Sequence, residues 1–224
     1  MSGPGIHDRA EVRRMYDRLA PVYDVVSRPY RWLGTGRLAG RALRELRLAR
    51  GDTVVELGTG TGRNLLALAA AVGPKGRVVG VDLSPGMLEK ARRRTRGLHQ
   101  VELVEADMRD YHLPDGTAGV LATYAVEMVE EYDTLIARLA SQLRPGGRLV
   151  LNGLRSPDRW PRWLVGIASA LSRPFGVTDA YRELHPWESV QSRLYETVYD
   201  EAAGGAAYLA AGTASGVGER VGSS

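Results

Sequence analysis

The sequence predicts an α/β protein built on a doubly wound, seven-stranded, mostly parallel sheet with an antiparallel last strand and helices at its N-terminal end. Three observations carry this expectation. Short β-branched runs alternate with helical patterns through the middle of the chain, as a parallel sheet covered on both faces requires. The first run, Thr53–Leu57, breaks into Gly58-Thr59-Gly60-Thr61-Gly62 and then a helical pattern from Arg63 to Val72. The last two runs are joined through Gly204-Gly205, too short a connection for anything but an antiparallel pair.

At the N-terminus, Asp8 can cap a helix with Glu11 three residues on, and Val12, Met15, Tyr16 and Leu19 fall on one face. Pro21 ends or bends that helix. A second pattern runs through Leu38, Ala42, Leu43 and Leu46 and stops at Gly51. The expected strands are then Thr53–Leu57, Arg77–Leu83, Val101–Glu105, Val120–Tyr124, Arg148–Leu151, Tyr195–Asp200 and Ala206–Ala210. Ser84-Pro85 gives an N-cap with proline at the first helical position. Tyr132, Leu135, Ile136, Leu139 and Leu143 share a face that reads as core, and Arg144-Pro145-Gly146-Gly147 stops that helix. The resulting organisation is a helical cap over residues 1–50, a main domain over 51–212 with an inserted lid at 153–193, and a small, polar, disordered tail at 213–224.

Composition narrows the class. The chain has 224 residues, no cysteine, four scattered histidines (His7, His99, His112, His185) and no long apolar span. Disulfides, thiolate metal sites and a structural metal are therefore not expected, and a cytoplasmic location is. The net charge of +4 is uneven, because residues 1–50 hold 11 arginines against 5 acidic residues. No nucleic-acid-binding motif accompanies this charge, so no nucleic acid partner is expected.

The glycine loop specifies the ligand class. A dinucleotide fingerprint needs G-x-G-x-x-G, but the position of its third glycine is Arg63, and no phosphate loop ending in Gly-Lys-Ser/Thr is present. Strand two ends at Asp82, 20 residues past Gly62, where a carboxylate can accept both hydroxyls of a ribose. Strand three runs into Ala106-Asp107-Met108, an acidic–apolar pair suited to an adenine amino group and ring. With the Leu143–Leu149 turn these motifs, in this order over about residues 50–152, resemble the class I S-adenosylmethionine (SAM)-dependent methyltransferases, which have a Rossmann-like sheet. The resemblance narrows further. Met15-Tyr16-Asp17-Arg18-Leu19-Ala20-Pro21-Val22-Tyr23-Asp24 is similar to the N-terminal aromatic element of the ubiquinone/menaquinone C-methyltransferases and of their phospholipid N-methyltransferase relatives. Gly204–Ala210 is similar to the closing strand of the phosphatidylethanolamine N-methyltransferase-like members.

The resemblance implies SAM as cofactor, held by Tyr16, Tyr23, Glu56, Gly58, Thr59, Gly60, Gly62, Asn64, Asp82, Leu83, Met87, Asp107, Met108 and Thr123. The chain departs from the quinone enzymes in having Ala118-Gly119 where a Phe-Asp pair enters strand four, and in the stretch Thr123–Glu127. Methyl transfer to a phenol or an activated carbon needs a proton removed, and Tyr23, Tyr124, Glu127, His185 and Glu188 are the candidate bases. In the lid, Trp160, Trp163, Leu164, Ile167 and Leu171 share a helical face flanked by Arg155, Arg159, Arg162 and Arg173. Such a face suits a lipophilic acceptor or peripheral contact with the inner face of a membrane. The expected activity is methyl transfer to a small or lipophilic acceptor: a phospholipid amine, marginally ahead of a quinol, or a natural product. The competing expectation is a SAM-binding protein that does not methylate, such as a sensor, a subunit or a recruited cyclase. A homodimer is compatible with either.

Overall fold

The computed structural model describes residues 9–26, 36–155, 157, 160 and 184–215. Seven strands form one sheet in the order β3-β2-β1-β4-β5-β7-β6. They are β1 (Thr53–Leu57), β2 (Arg77–Asp82), β3 (Val101–Glu105), β4 (Thr117–Thr123), β5 (Arg148–Leu154), β6 (Tyr195–Ala202) and β7 (Ala207–Thr213). The first five pair in parallel, and β7 runs antiparallel to both β5 and β6. Strand order reverses between β1 and β4, so their carboxyl ends diverge into a crevice.

The described helices are α1 (Arg9–Leu19), α2 (Tyr23–Val26), α3 (Gly36–Glu45), α4 (Leu65–Val72), α5 (Pro85–Arg94), α6 (Tyr132–Gln142) and α7 (Pro186–Arg193). Alternation along each strand divides the core in two. Val55, Leu57, Val79, Val81, Val120 and Leu149 join Leu135, Ile136 and Leu139 of α6 on one face. On the other face Val54, Val78, Leu121 and Val150 pack with Leu38, Leu65, Leu68 and Ala91. Among the described residues no helix is long and apolar enough to cross a membrane.

Several strand ends differ from the sequence reading, each for a tertiary reason. β4 begins at Thr117 rather than Val120, because Thr117 pairs with Thr53 of β1 and Gly119 with Val54, and Gly119 lies against Leu46 and Leu48, where a Cβ would stand 3.1 and 3.2 Å from their side chains. β5 continues to Leu154, since Gly153 and Leu154 pair with Tyr208 and Ala207. β7 runs to Thr213, past the expected domain end at 212, and the Ala214 N–H donates to the Gly147 carbonyl at 2.8 Å. α4 starts at Leu65 rather than Arg63. Asn64, at its N-cap, sends its amide to the sheet instead of capping. Residues 153 and 154 of the expected lid belong to β5, and residues 186–193 form α7. Trp163, Leu164, Ile167, Leu171, Arg159, Arg162 and Arg173 lie outside the described residues.

Candidate active site

The crevice at the carboxyl ends of the strands is a cleft of about 750 Å³, its open mouth included. Successive strand ends supply its floor: Gly58 and Gly60 after β1, Asp82, Leu83, Ser84 and Met87 after β2, and Ala106–Arg109 after β3. The wall after β4 is Thr123, Tyr124, Ala125, Met128 and Val129, and Val12, Arg13, Tyr16 and Tyr23 of the N-terminal helices close the top.

The loop geometry explains why glycine is needed here. Gly58 has φ +67°, and a Cβ on it would stand 2.4 Å from that of Ala125, so the loop is pressed against the turn after β4. Gly60 has φ +54° with nothing within 4 Å of a would-be Cβ, leaving its backbone open to a ligand. Its N–H instead turns toward Asp82, donating to Oδ2 at 2.7 Å, while the Ser84 N–H donates to Oδ1 at 2.9 Å. Burial pushes the Asp82 carboxyl up to about 6, against those hydrogen bonds, and the nearby Asp17 charge adds to the rise. Each carboxylate oxygen keeps a lone pair, so hydroxyl donors can still be accepted.

The N-terminal helices are tied down by carboxylates. Asp17 Oδ1 accepts from Ser84 Oγ at 2.5 Å and from the Gly86 N–H at 3.1 Å. Asp24 accepts from Thr61 Oγ1 at 2.8 Å, Arg63 Nε at 2.9 Å and Arg94 Nη2 at 2.6 Å. Burial works to raise the Asp24 pKa, but hydrogen bonds from Arg94, Thr61 and Arg63 outweigh it and hold the carboxyl at about 2. Arg63, which stands in place of a fingerprint glycine, is therefore half of a latch between α2 and the glycine loop. Tyr16 and Tyr23, their rings 6.2 Å apart, are held over the cleft by these ties.

The structure gathers Tyr16, Tyr23, Gly58, Gly60, Asp82, Leu83, Met87, Asp107, Met108, Thr123 and Tyr124 around one cleft. Glu56, Thr59, Gly62 and Asn64 are not on its lining. Glu56 is buried beneath the loop, accepting from Thr59 Oγ1 and from Asn64 Nδ2, each at 2.7 Å, and burial raises its carboxyl to about 7. Gly62 faces α5, where a Cβ would stand 2.9 Å from that of Ala91. These residues shape the loop from behind. Asp107 reaches the cleft, but Arg109 holds its carboxylate through Nε at 3.0 Å and Nη2 at 2.6 Å. An adenine amino group would have to share that oxygen pair with the guanidinium.

The candidate bases separate clearly. Burial, with the Asp82 charge adding, pushes the Tyr23 phenol up to about 12, so Tyr23 keeps its proton. Tyr124 lines the cleft with φ +54°, a left-handed conformation unfavourable for a bulky side chain. Glu127 faces away from the lining and accepts from Tyr208 Oη at 2.7 Å, with Gly153 leaving room for its carboxylate. Burial raises Glu127 to about 7. His185 and Glu188 are exposed beside Trp187, outside the cleft. Residues that sequence reasoning missed are Ser84, Arg109, Met128 and Val129 on the lining, and Asp17 and Arg94 in the ties. For Asp17 and Asp24 a signal existed, since both sit in the N-terminal aromatic element. Among the described residues no group of three or more His, Asp or Glu side chains is arranged to hold a metal.

Residues 54–147 match the family described as Methyltransferase domain. A trans-aconitate 2-methyltransferase from Azoarcus sp. is 34% identical over 178 residues, which cover 72% of this chain and 68% of that protein. The ubiquinone/menaquinone biosynthesis C-methyltransferase UbiE of Syntrophotalea carbinolica is 31% identical over 165 residues, covering 73% of this chain and 68% of that protein. Other relatives are longer than the match, and the chain spans 57% of a demethylmenaquinone methyltransferase from Symbiobacterium thermophilum and 30% of a Streptomyces fradiae transposon protein. In fold, the chain is similar to a SAM-dependent methyltransferase from Aquifex aeolicus, with a TM-score of 0.57 and 20% identity over 93% of this chain and 99% of that one. The open backbone at Gly60 and the carboxylate of Asp82 fit the cofactor of such enzymes. A glycine cleft at the strand switch point and relatives matched over two thirds of their length point the same way: the chain belongs to the class I SAM-dependent methyltransferases.

Proposed function

We propose that the chain transfers methyl from SAM to a compact, flat, lipophilic acceptor of the quinol or phenol class. One observation carries this reading: the wall after β4 and the top of the cleft are largely aromatic and apolar, with Tyr124, Met128 and Val129 on the wall and Val12, Tyr16 and Tyr23 above. Such a wall stacks on a ring better than it solvates a headgroup. The similarity to a quinone C-methyltransferase supports the same class and moves it ahead of the phospholipid amine favoured by the sequence ends.

Bound SAM supplies a methyl already activated by the sulfonium, so the protein's part is to bind, orient and exclude water. Asp82 would accept the ribose hydroxyls, Met108 would cover the adenine, and the Gly58–Gly60 backbone would lie against the methionyl part. Tyr23 keeps its proton up to about pH 12 and so does not act as a base. Asp17 and Asp24 fix α1 and α2 over the cleft, which shields the reacting atoms from water.

The test is turnover of the purified chain with SAM against 1,4-dihydroxynaphthalene, catechol and phosphatidylethanolamine vesicles, read as S-adenosylhomocysteine formed. Turnover of the dihydroxynaphthalene is expected. Turnover confined to the vesicles would move the acceptor to the amine class, and SAM binding with no product on any acceptor would revive the non-methylating alternative.

A further inference from the structure

The acids at the ends of β2 and β3 are held in opposite ways. Asp82 is reached by backbone N–H groups, from Gly60 on Oδ2 and from Ser84 on Oδ1. Asp107 is filled by arginine. Its Oδ1 accepts from the Arg109 N–H at 2.9 Å and from Arg109 Nε at 3.0 Å. Its Oδ2 accepts from Arg109 Nη2 at 2.6 Å and lies 3.3 Å from Arg9 Nε. A carboxylate has about four acceptor sites, and these donors occupy them. Burial works to raise the Asp107 pKa, but hydrogen bonds from the Arg109 side chain and N–H, with the charges of Arg109 and Arg9, lower it overall.

The turn that carries this pair is fixed from the other side by α6. Arg138 donates through Nη2 to the Met108 carbonyl at 2.8 Å and to the Arg109 carbonyl at 3.0 Å. The Gln142 side chain accepts the Leu113 N–H at 2.9 Å. A swing of the backbone that would free Asp107 breaks these bonds. Asp107, Met108 and Arg109 all line the cleft, and Arg13 lines it from α1, paired with Glu105 at 2.9 Å. Asp107 takes hydrogen bonds from Nε and Nη2 of Arg109, so the N–H donors of Nη1 remain. The β3 end of the cleft thus offers guanidinium donors in place of a free carboxylate.

Adenine presents an amino donor and ring-nitrogen acceptors. At a filled carboxylate the amino group meets guanidinium donors, N–H against N–H, whereas a ring nitrogen or a carbonyl oxygen accepts from them. We propose that Arg109, by occupying Asp107, sets the purine specificity of the cleft: the site reads acceptors on the base and does not require its amino group. An analogue bearing hypoxanthine, in which a carbonyl replaces that amino group, is then bound about as well as the adenine form. Arg109 is the specificity-determining residue, and Asp107 and Arg138 position it. The proposal rests on the SAM reading, with the base at the end of β3, and names which of its groups are read.

Calorimetry of the full chain with S-adenosylhomocysteine and its deaminated analogue S-inosylhomocysteine tests it. For the unaltered protein the two affinities are expected to agree within about threefold. Arg109→Met removes the guanidinium and frees Asp107 to accept an amino group and to repel a carbonyl oxygen. The preference for the adenine form is then expected to rise about tenfold or more, the scale of a hydrogen bond to a charged group. Arg109→Lys keeps the charge without the planar fork, and is expected to move the preference the same way should the methionine variant not fold. A loss of stability alone would weaken both compounds equally and leave their ratio unchanged. An unaltered protein that already prefers the adenine form by more than threefold would overturn the proposal, as would a ratio that neither substitution moves. Binding of neither compound would instead remove the cofactor reading, and the proposal with it.

Discussion

Asp82 sits where sequence, geometry and electrostatics meet. Its distance from the glycine loop marked it as a ribose acceptor, and the structure adds that its free carboxyl titrates near 6 because burial disfavours the charge. A ribose that donates to the carboxylate favours the ionised form, so binding and deprotonation are linked. SAM affinity is therefore expected to weaken by about tenfold per pH unit below about pH 6, with proton release on binding in that range. Calorimetry in buffers of different ionisation enthalpy reads both, and a flat pH dependence would remove Asp82 from the ribose. Tyr23 shows the opposite limit. Its phenol was a plausible base by residue type, but only its surroundings, buried and close to Asp82, show that it keeps its proton. Asn152 carried no signal in the sequence at all. An asparagine in an apolar run reads as a strand residue, and that its buried amide has no hydrogen-bond partner among the described residues is a property of neighbours from β4 and β7.

At the scale of elements, α1 and α2 are short, and among the described residues α1 buries none of its side chains fully. Helices this exposed gain little from packing and need other ties. The ties are polar: Asp17 at the start of α5, and Asp24 on Thr61, Arg63 and Arg94. Asp24→Ala is expected to weaken SAM binding about tenfold or more, since hydrogen bonds to a charged group hold the cap on the loop. The wild-type affinity should also fall from low to high salt, because Asp24 and its arginines are partly exposed and salt screens them. Calorimetry of both proteins at two salt concentrations checks this, and equal affinities throughout would mean that the cap does not help hold the cofactor. The glycine loop was legible down to its register because backbone conformation dictates glycine there. The latch was not, because Arg63 and Asp24 are 39 residues apart and meet only in the fold.

Across the whole molecule, Glu127 and Glu56 act in the same direction as Asp82 on the pH dependence of stability, because burial raises all three carboxyls. Glu127, tied to Tyr208 of β7, and Glu56, beneath the glycine loop, are both raised by burial to about 7 from an ordinary 4.5. A folded-state pKa above the unfolded one means that the stability present below pH 4.5 is lost as the pH rises through about 7. Glu127→Gln keeps an acceptor for Tyr208 and removes the charge. It is expected to raise the urea midpoint at about pH 8 and leave it unchanged near pH 5. Equal midpoints at the higher pH would mean that Glu127 ionises normally. Arg148 joins elements distant in sequence: 1% exposed at the start of β5, it donates to the Glu45 carbonyl at 2.9 Å, the Glu196 carbonyl at 3.2 Å and Thr213 Oγ1 at 2.7 Å. It thereby binds the antiparallel edge to the parallel sheet and to α3. The alternation of strands and helices, the glycine loop, the acids at the ends of β2 and β3 and the closing antiparallel pair were determined by the sequence alone, because periodicity and backbone conformation are local. The tertiary structure decided what depends on contacts distant in sequence: the true ends of β4, β5 and β7, the cap latched by Asp17 and Asp24, the turning of Glu127 away from the cleft, and the unpaired amide of Asn152. Burial and the pairing of charges are settled only when separate strands and helices meet.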